Sequence, residues 1–73
     1  MNTTLLRQTW NLIETTNAWE ILETSEPDLI QGLLQRLDAQ KPLADRERAS
    51  LYDYLHEKIG LIRDTAESRL VSA

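Results

Sequence analysis

The segment between Pro27 and Pro42 constrains the fold most, because its apolar residues recur at the spacing of one helical face. These residues are Leu29, Ile30, Leu33, Leu34 and Leu37. Pro27 fits the first turn of a helix, where its missing N–H costs nothing, and Ser25 is the expected N-cap. Pro42 ends the helix at or before Lys41, since the residue preceding a proline is pushed out of the α region. We therefore predict a helix over residues 26–39.

A second amphipathic segment begins at Asp45 and continues without a proline to about residue 71. Its apolar side chains recur in steps of three and four at Tyr52, Leu55, Ile59, Ile62 and Ala66, flanked by Leu51 and Leu70. This pattern predicts a helix over residues 45–71, with Asp45 as its N-cap. At 1.5 Å per residue, such a helix is about 40 Å long.

The first segment, predicted to be helical over residues 3–24, carries apolar side chains on two opposite faces. On a helical wheel, one side of the first half contains Leu5, Leu6, Trp10, Leu12 and Ile13. The roughly opposite side of the second half contains Ala18, Trp19, Ile21 and Leu22. One interpretation is a break at residues 15–17, where Asn17 caps a new helix with Glu20 three positions later. The other is one continuous helix that contacts two different neighbours. We favour the continuous helix, because the segment contains no glycine or proline.

These segments predict an all-α single domain over residues 1–73, with three helices in an up-down bundle. A chain of this size buries only roughly 60% of its unfolded surface, and without cysteine it has no disulfides to compensate. A helix of about 40 Å also overhangs a compact chain whose radius of gyration should be about 11 Å. The apolar surface left over predicts pairing into a helical-bundle homodimer.

Five residues are candidates for an interface with a partner or a second copy: Trp19, Ile21, Leu22, Tyr54 and Leu61. The first three form an apolar patch beside Glu20 and Glu23, although Trp19 fits a core position nearly as well. Tyr54 and Leu61 form a short line away from the main stripe of their helix. The net charge of -4 predicts a protein partner with a basic surface and disfavours nucleic acid.

Other residue combinations carry weaker signals. Asp53 and His56 imitate half of a carboxylate–histidine metal site, but a solvated polar face is the simpler interpretation. Arg46 and Arg48 follow a short interhelix turn, as in a helix-turn-helix, but neighbouring acidic residues nearly cancel their charge. No paired acid/base set, phosphate loop or nucleophile motif can be assembled. We therefore predict no catalytic residues, no metal and no cofactor.

Compartment and function follow from the same sequence. No stretch approaches eighteen apolar residues, and the first residues lack the basic run and apolar core of a signal peptide. We predict a cytoplasmic protein without a membrane span, since small secreted domains usually contain disulfides. The predicted function is a non-enzymatic protein–protein interaction or regulatory role. A small DNA-associated helical regulator and a carboxylate/histidine metal-binding dimer remain as alternatives.

Overall fold

A computed structural model describes residues 3–71, which form four α-helices and no strand within that range. The helices are α1 (Thr3–Thr15), α2 (Ala18–Glu23), α3 (Glu26–Gln40) and α4 (Asp45–Val71). The all-α class is confirmed, but the prediction of three helices is wrong. The segment predicted as one helix over residues 3–24 consists of α1 and α2.

The break between α1 and α2 is marked by a side-chain cap at Asn17. The backbone of Asn17 is non-helical, with φ -57° and ψ 129°, and its Oδ1 accepts a hydrogen bond from the backbone N–H of Trp19 at 2.8 Å. The Thr16 hydroxyl is buried and donates to the carbonyl of Leu12 at 2.7 Å, as the hydroxyls of Thr9 and Thr65 do to the fourth preceding carbonyl within α1 and α4. The Asn17 side chain instead caps the first turn of a new helix, so the break needs no glycine or proline.

The change of direction places α2 against α4. Arg63 and Arg69 of α4 donate to the carbonyls of Thr24 and Thr16, at 3.0 Å and 3.2 Å, so α2 lies along the C-terminal half of α4. The sequence suggested that a second copy would cover the overhanging end of α4. In the structure, α2 of the same chain packs against that end. The molecule measures 36 × 22 × 20 Å, with a radius of gyration of 12.0 Å.

The core lies where α3 packs against α1 and α4, and where α2 packs against α4. Its buried apolar residues are Leu5, Ile13, Ile21, Leu29, Ile30, Leu33, Leu34, Leu37, Leu51, Leu55, Ile62 and Ala66. All five apolar positions predicted for α3 are buried, as expected. On α4 the buried stripe is narrower than predicted, because Tyr52 is 39% exposed and Ile59 is half-buried.

The connection between α3 and α4 is held by two carboxylates. Asp38 accepts a hydrogen bond from the backbone N–H of Leu43 at 2.8 Å, and Glu47 accepts one from that of Ala44 at 3.0 Å. The second bond is the return half of a capping box, so Ala44 rather than Asp45 precedes the first turn of α4. Ser25 occupies the predicted N-cap of α3, but its side chain makes no capping hydrogen bond.

Candidate interaction surfaces

The first surface is formed by α2 and centres on Trp19. Trp19 is 58% exposed, although it is the second residue of a helix whose opposite face enters the core. Leu22 is half-buried and packs against that core. Ile21 is 0% exposed, so its assignment to an interface is corrected: it is a core residue. Residues two apart on a helix lie about 200° apart, so burial of Ile21 against α4 turns Trp19 outward.

Two carboxylates lie on the same short helix as the exposed indole. Glu20 forms an ion pair with Arg36 of α3 at 2.9 Å, and both side chains are about half exposed. Glu23 lies one turn after Trp19, is exposed, and has no ion pair within residues 3–71. The α2 surface therefore combines one large apolar side chain with an acidic rim.

The second surface lies on α4, at Tyr54 and Leu61. Leu61 is 53% exposed in the middle of the longest helix. Tyr54 is only half-buried, and its hydroxyl accepts a hydrogen bond from the indole Nε1–H of Trp10 at 2.8 Å. The phenol is therefore bound to α1, so Leu61 provides most of the exposed apolar area of this pair.

Four arginines are engaged in contacts with the chain itself. Arg36 and Arg48 pair with Glu20 and Asp38, the latter at 3.2 Å. Arg63 donates to the carbonyl of Thr24, and Arg69 donates to those of Glu14 and Thr16. The Nε atoms of Arg63 and Arg69 are buried without a hydrogen-bond partner. Positive charge near the C-terminal ends of α1 and α2 stabilises their carbonyl groups.

His56 contacts a residue that the sequence pattern did not indicate. Its Nδ1 lies 2.8 Å from Oε1 of Glu26, at the start of α3, and its ring stacks with Tyr52 at a centroid distance of 6.4 Å. The predicted neighbour Asp53 makes no ion pair with it in the described part of the chain. Thirty residues separate His56 from Glu26, and no local spacing could have revealed the contact. Residues 3–71 contain no group of three or more potential metal ligands.

Among residues 3–71, the clefts between the helices include two small ones. One, between α2 and α3, has a volume of about 40 Å³ and is lined in part by Thr24, Gly32 and Arg36. The other, between α1 and the α3–α4 connection, has a volume of about 170 Å³ and is lined in part by Gln8 and Lys41. Both are smaller than the roughly 300–1,000 Å³ typical of ligand pockets. No helix among residues 3–71 combines the length and apolar character needed to cross a membrane.

No family model, curated protein or solved structure matches this chain.

Proposed function

We propose that this chain is a non-enzymatic interaction or regulatory protein that presents helical surfaces to a protein partner with a basic surface. The exposure of Trp19 carries the proposal. Its indole is 58% exposed, while the other apolar residues of α2 are buried or half-buried. Tryptophan is enriched at binding hot spots because its large, rigid ring removes much area from water on binding. An indole that its own fold leaves uncovered supports a role in binding.

The charge distribution supports a basic partner. The net charge is -4, and Arg63 and Arg69 direct their charge toward backbone carbonyls rather than carboxylates. Exposed carboxylates such as Glu23, one turn from Trp19, are left without a counter-charge from the described chain. Lysine or arginine on a partner would complement this rim and accelerate association at low salt.

Replacing Trp19 with alanine tests this proposal. The probe is a synthetic amphipathic helix with leucine on one face and lysine on the other, titrated by calorimetry at low salt. We expect the alanine variant to bind at least about 30-fold more weakly, since a hot-spot side chain contributes about 2 kcal/mol or more. Its melting temperature should stay close to that of the unmodified protein, because the indole is mostly outside the core.

Trp10→Phe is the matched control, since Trp10 is half-buried and donates to Tyr54. This variant should bind the probe as the unmodified protein does. A second peptide with glutamate in place of lysine should not bind. Equal binding of both peptides, or unchanged binding by the Trp19 variant, would contradict the proposed surface.

We also propose that the chain forms a homodimer, with the exposed Leu61 contributing to the contact. Leu61→Glu should then lower the dimer fraction measured by light scattering at micromolar concentration, without loss of helicity by circular dichroism. Glutamate is costly at an apolar contact but harmless at a solvated helix surface. A sharp monomer mass for the unmodified protein would contradict this.

The cytoplasm is the proposed location, since a fold without disulfides needs no oxidising compartment.

A further inference from the structure

Gly32 leaves open space in the cleft between α2 and α3. It lies in the middle of α3, where glycine is unfavourable because it loses more conformational freedom on folding than alanine does. The fold itself does not require a glycine at this position. Its φ is not positive, and a Cβ added to it would have nothing within 4 Å outside its own stretch of helix.

Gly60 shows that an open glycine alone does not define a site. It lies in the middle of α4, its φ is also not positive, and a Cβ there would likewise meet nothing within 4 Å. However, Gly60 is exposed and lines neither of the clefts described above. What distinguishes Gly32 is its position between two packed helices, and Gly60 provides a matched control for it.

The cleft has an apolar floor and one acidic end. Leu29 and Leu33 form the floor, since both line the cleft and are almost completely buried. Arg36 bridges one end, donating to Glu20 at 2.9 Å and to the Thr16 hydroxyl at 3.5 Å.

Asp28 provides the charge at the other end, two helical turns before Arg36. It is exposed and makes no ion pair within residues 3–71. Because the charge of Arg36 is already balanced by Glu20, the carboxylate of Asp28 is the one left to attract a cation.

The size of the cleft fits the stem of one side chain. Its volume of about 40 Å³ holds roughly three water-sized groups, which is too little for an aromatic ring or a small-molecule ligand. Lysine has a compact ammonium group on a flexible four-carbon stem. Such stems lie along apolar surface while the charged group stays in water. Lysine therefore matches both the apolar floor and the acidic end.

We propose that this cleft receives a lysine side chain of the basic protein partner. Its stem lies against Leu29 and Leu33 above Gly32, and its ammonium group pairs with Asp28. This inference rests on the proposed function and deepens it, because it names the group that the partner inserts beside its contact with Trp19. Glu20, which lines the cleft, follows Trp19 directly and lies about 100° further round α2, so the indole and the cleft occupy adjacent sides of that helix.

Gly32→Ala and Gly60→Ala test the cleft in the full chain, with the leucine–lysine peptide described above as the probe. Both variants should melt about 2–8 °C higher than the unmodified protein, because each replaces a glycine inside a helix. Gly32→Ala should nevertheless bind the peptide about tenfold more weakly by calorimetry, the lower end of the effect of one extra methylene in an apolar pocket. Gly60→Ala should bind it unchanged.

Asp28→Asn and Glu67→Gln test the charge, since each removes one exposed carboxylate that has no ion pair within the described chain. Asp28→Asn should weaken binding about two- to fivefold, as expected for an exposed ion pair, and Glu67→Gln should leave it unchanged. An equal loss in both variants would attribute the effect to net charge and overturn the pairing with Asp28.

The outcomes separate the cleft from the proposed function. If Trp19→Ala weakens binding but the two glycine variants bind alike, the lysine site is overturned while the proposed function stands. A lower melting temperature for Gly32→Ala would also overturn the lysine site, because the space above Gly32 would then not be open. If the unmodified protein does not bind the lysine peptide, both proposals are overturned.

Discussion

Replacing Ile21 with alanine is expected to lower the free energy of unfolding by about 2–5 kcal/mol, the range for truncating a buried isoleucine to alanine. Ile21 is completely buried, on a six-residue helix that has little stability of its own. The truncation leaves a cavity where α2 packs against α4. For a domain of this size, each kcal/mol corresponds to roughly 4–8 °C in melting temperature. Thermal and urea denaturation followed by circular dichroism measure the loss.

Trp19→Ala is the matched comparison for Ile21, since it truncates a larger side chain on the same helix. Because Trp19 is mostly exposed, its removal should change the free energy of unfolding by less than about 1 kcal/mol. If the two variants were destabilised equally, the orientation of α2 in the structure would be wrong. A binding defect in the Trp19 variant could then no longer be separated from unfolding.

Arg69→Ala is expected to lower the free energy of unfolding by about 1.5–3 kcal/mol, which is typical of hydrogen bonds to charged groups. The guanidinium donates to the carbonyls of Glu14 and Thr16, near the C-terminal end of α1. Without it, these carbonyls lose a charged donor. Amide hydrogen exchange should show the largest loss of protection in α2, whose placement depends on the bend.

Glu67→Ala controls for a general effect of substitution at this end of α4. Glu67 is exposed, and its replacement should stay within about 0.5 kcal/mol of the unmodified protein. Equal stability of the Arg69 and Glu67 variants would show that the contacts of Arg69 contribute nothing to holding α1 and α2.

The candidate surfaces were only partly predictable. Trp19 and Leu61 are exposed as an interface requires, and their binding roles stay predictions until measured. The sequence prediction assigned Ile21 to the interface because it is an apolar residue close to Trp19, but residues two apart on a helix lie about 200° apart, and in the structure Ile21 faces the core. The hydrogen bond between Trp10 and Tyr54 and the contact between His56 and Glu26 join residues 44 and 30 positions apart. No local sequence pattern indicates either contact.

The amino-acid sequence by itself determined the helical class and the apolar face of α3, because a stripe with a period of 3.6 residues, bounded by prolines, has one low-energy solution. It also located α4, which has no internal breaker. It could not decide between a bend and a straight helix at Asn17, since both satisfy the local hydrogen-bonding and propensity rules. Tertiary structure decided for the bend: the C-terminal half of α4 offers an apolar surface for Ile21, and Arg69 lies within reach of the freed carbonyls. Arg69 is about fifty residues from the break along the chain, and the apolar surface of α4 is also distant in sequence. These groups therefore stabilise the bend only after the chain has folded.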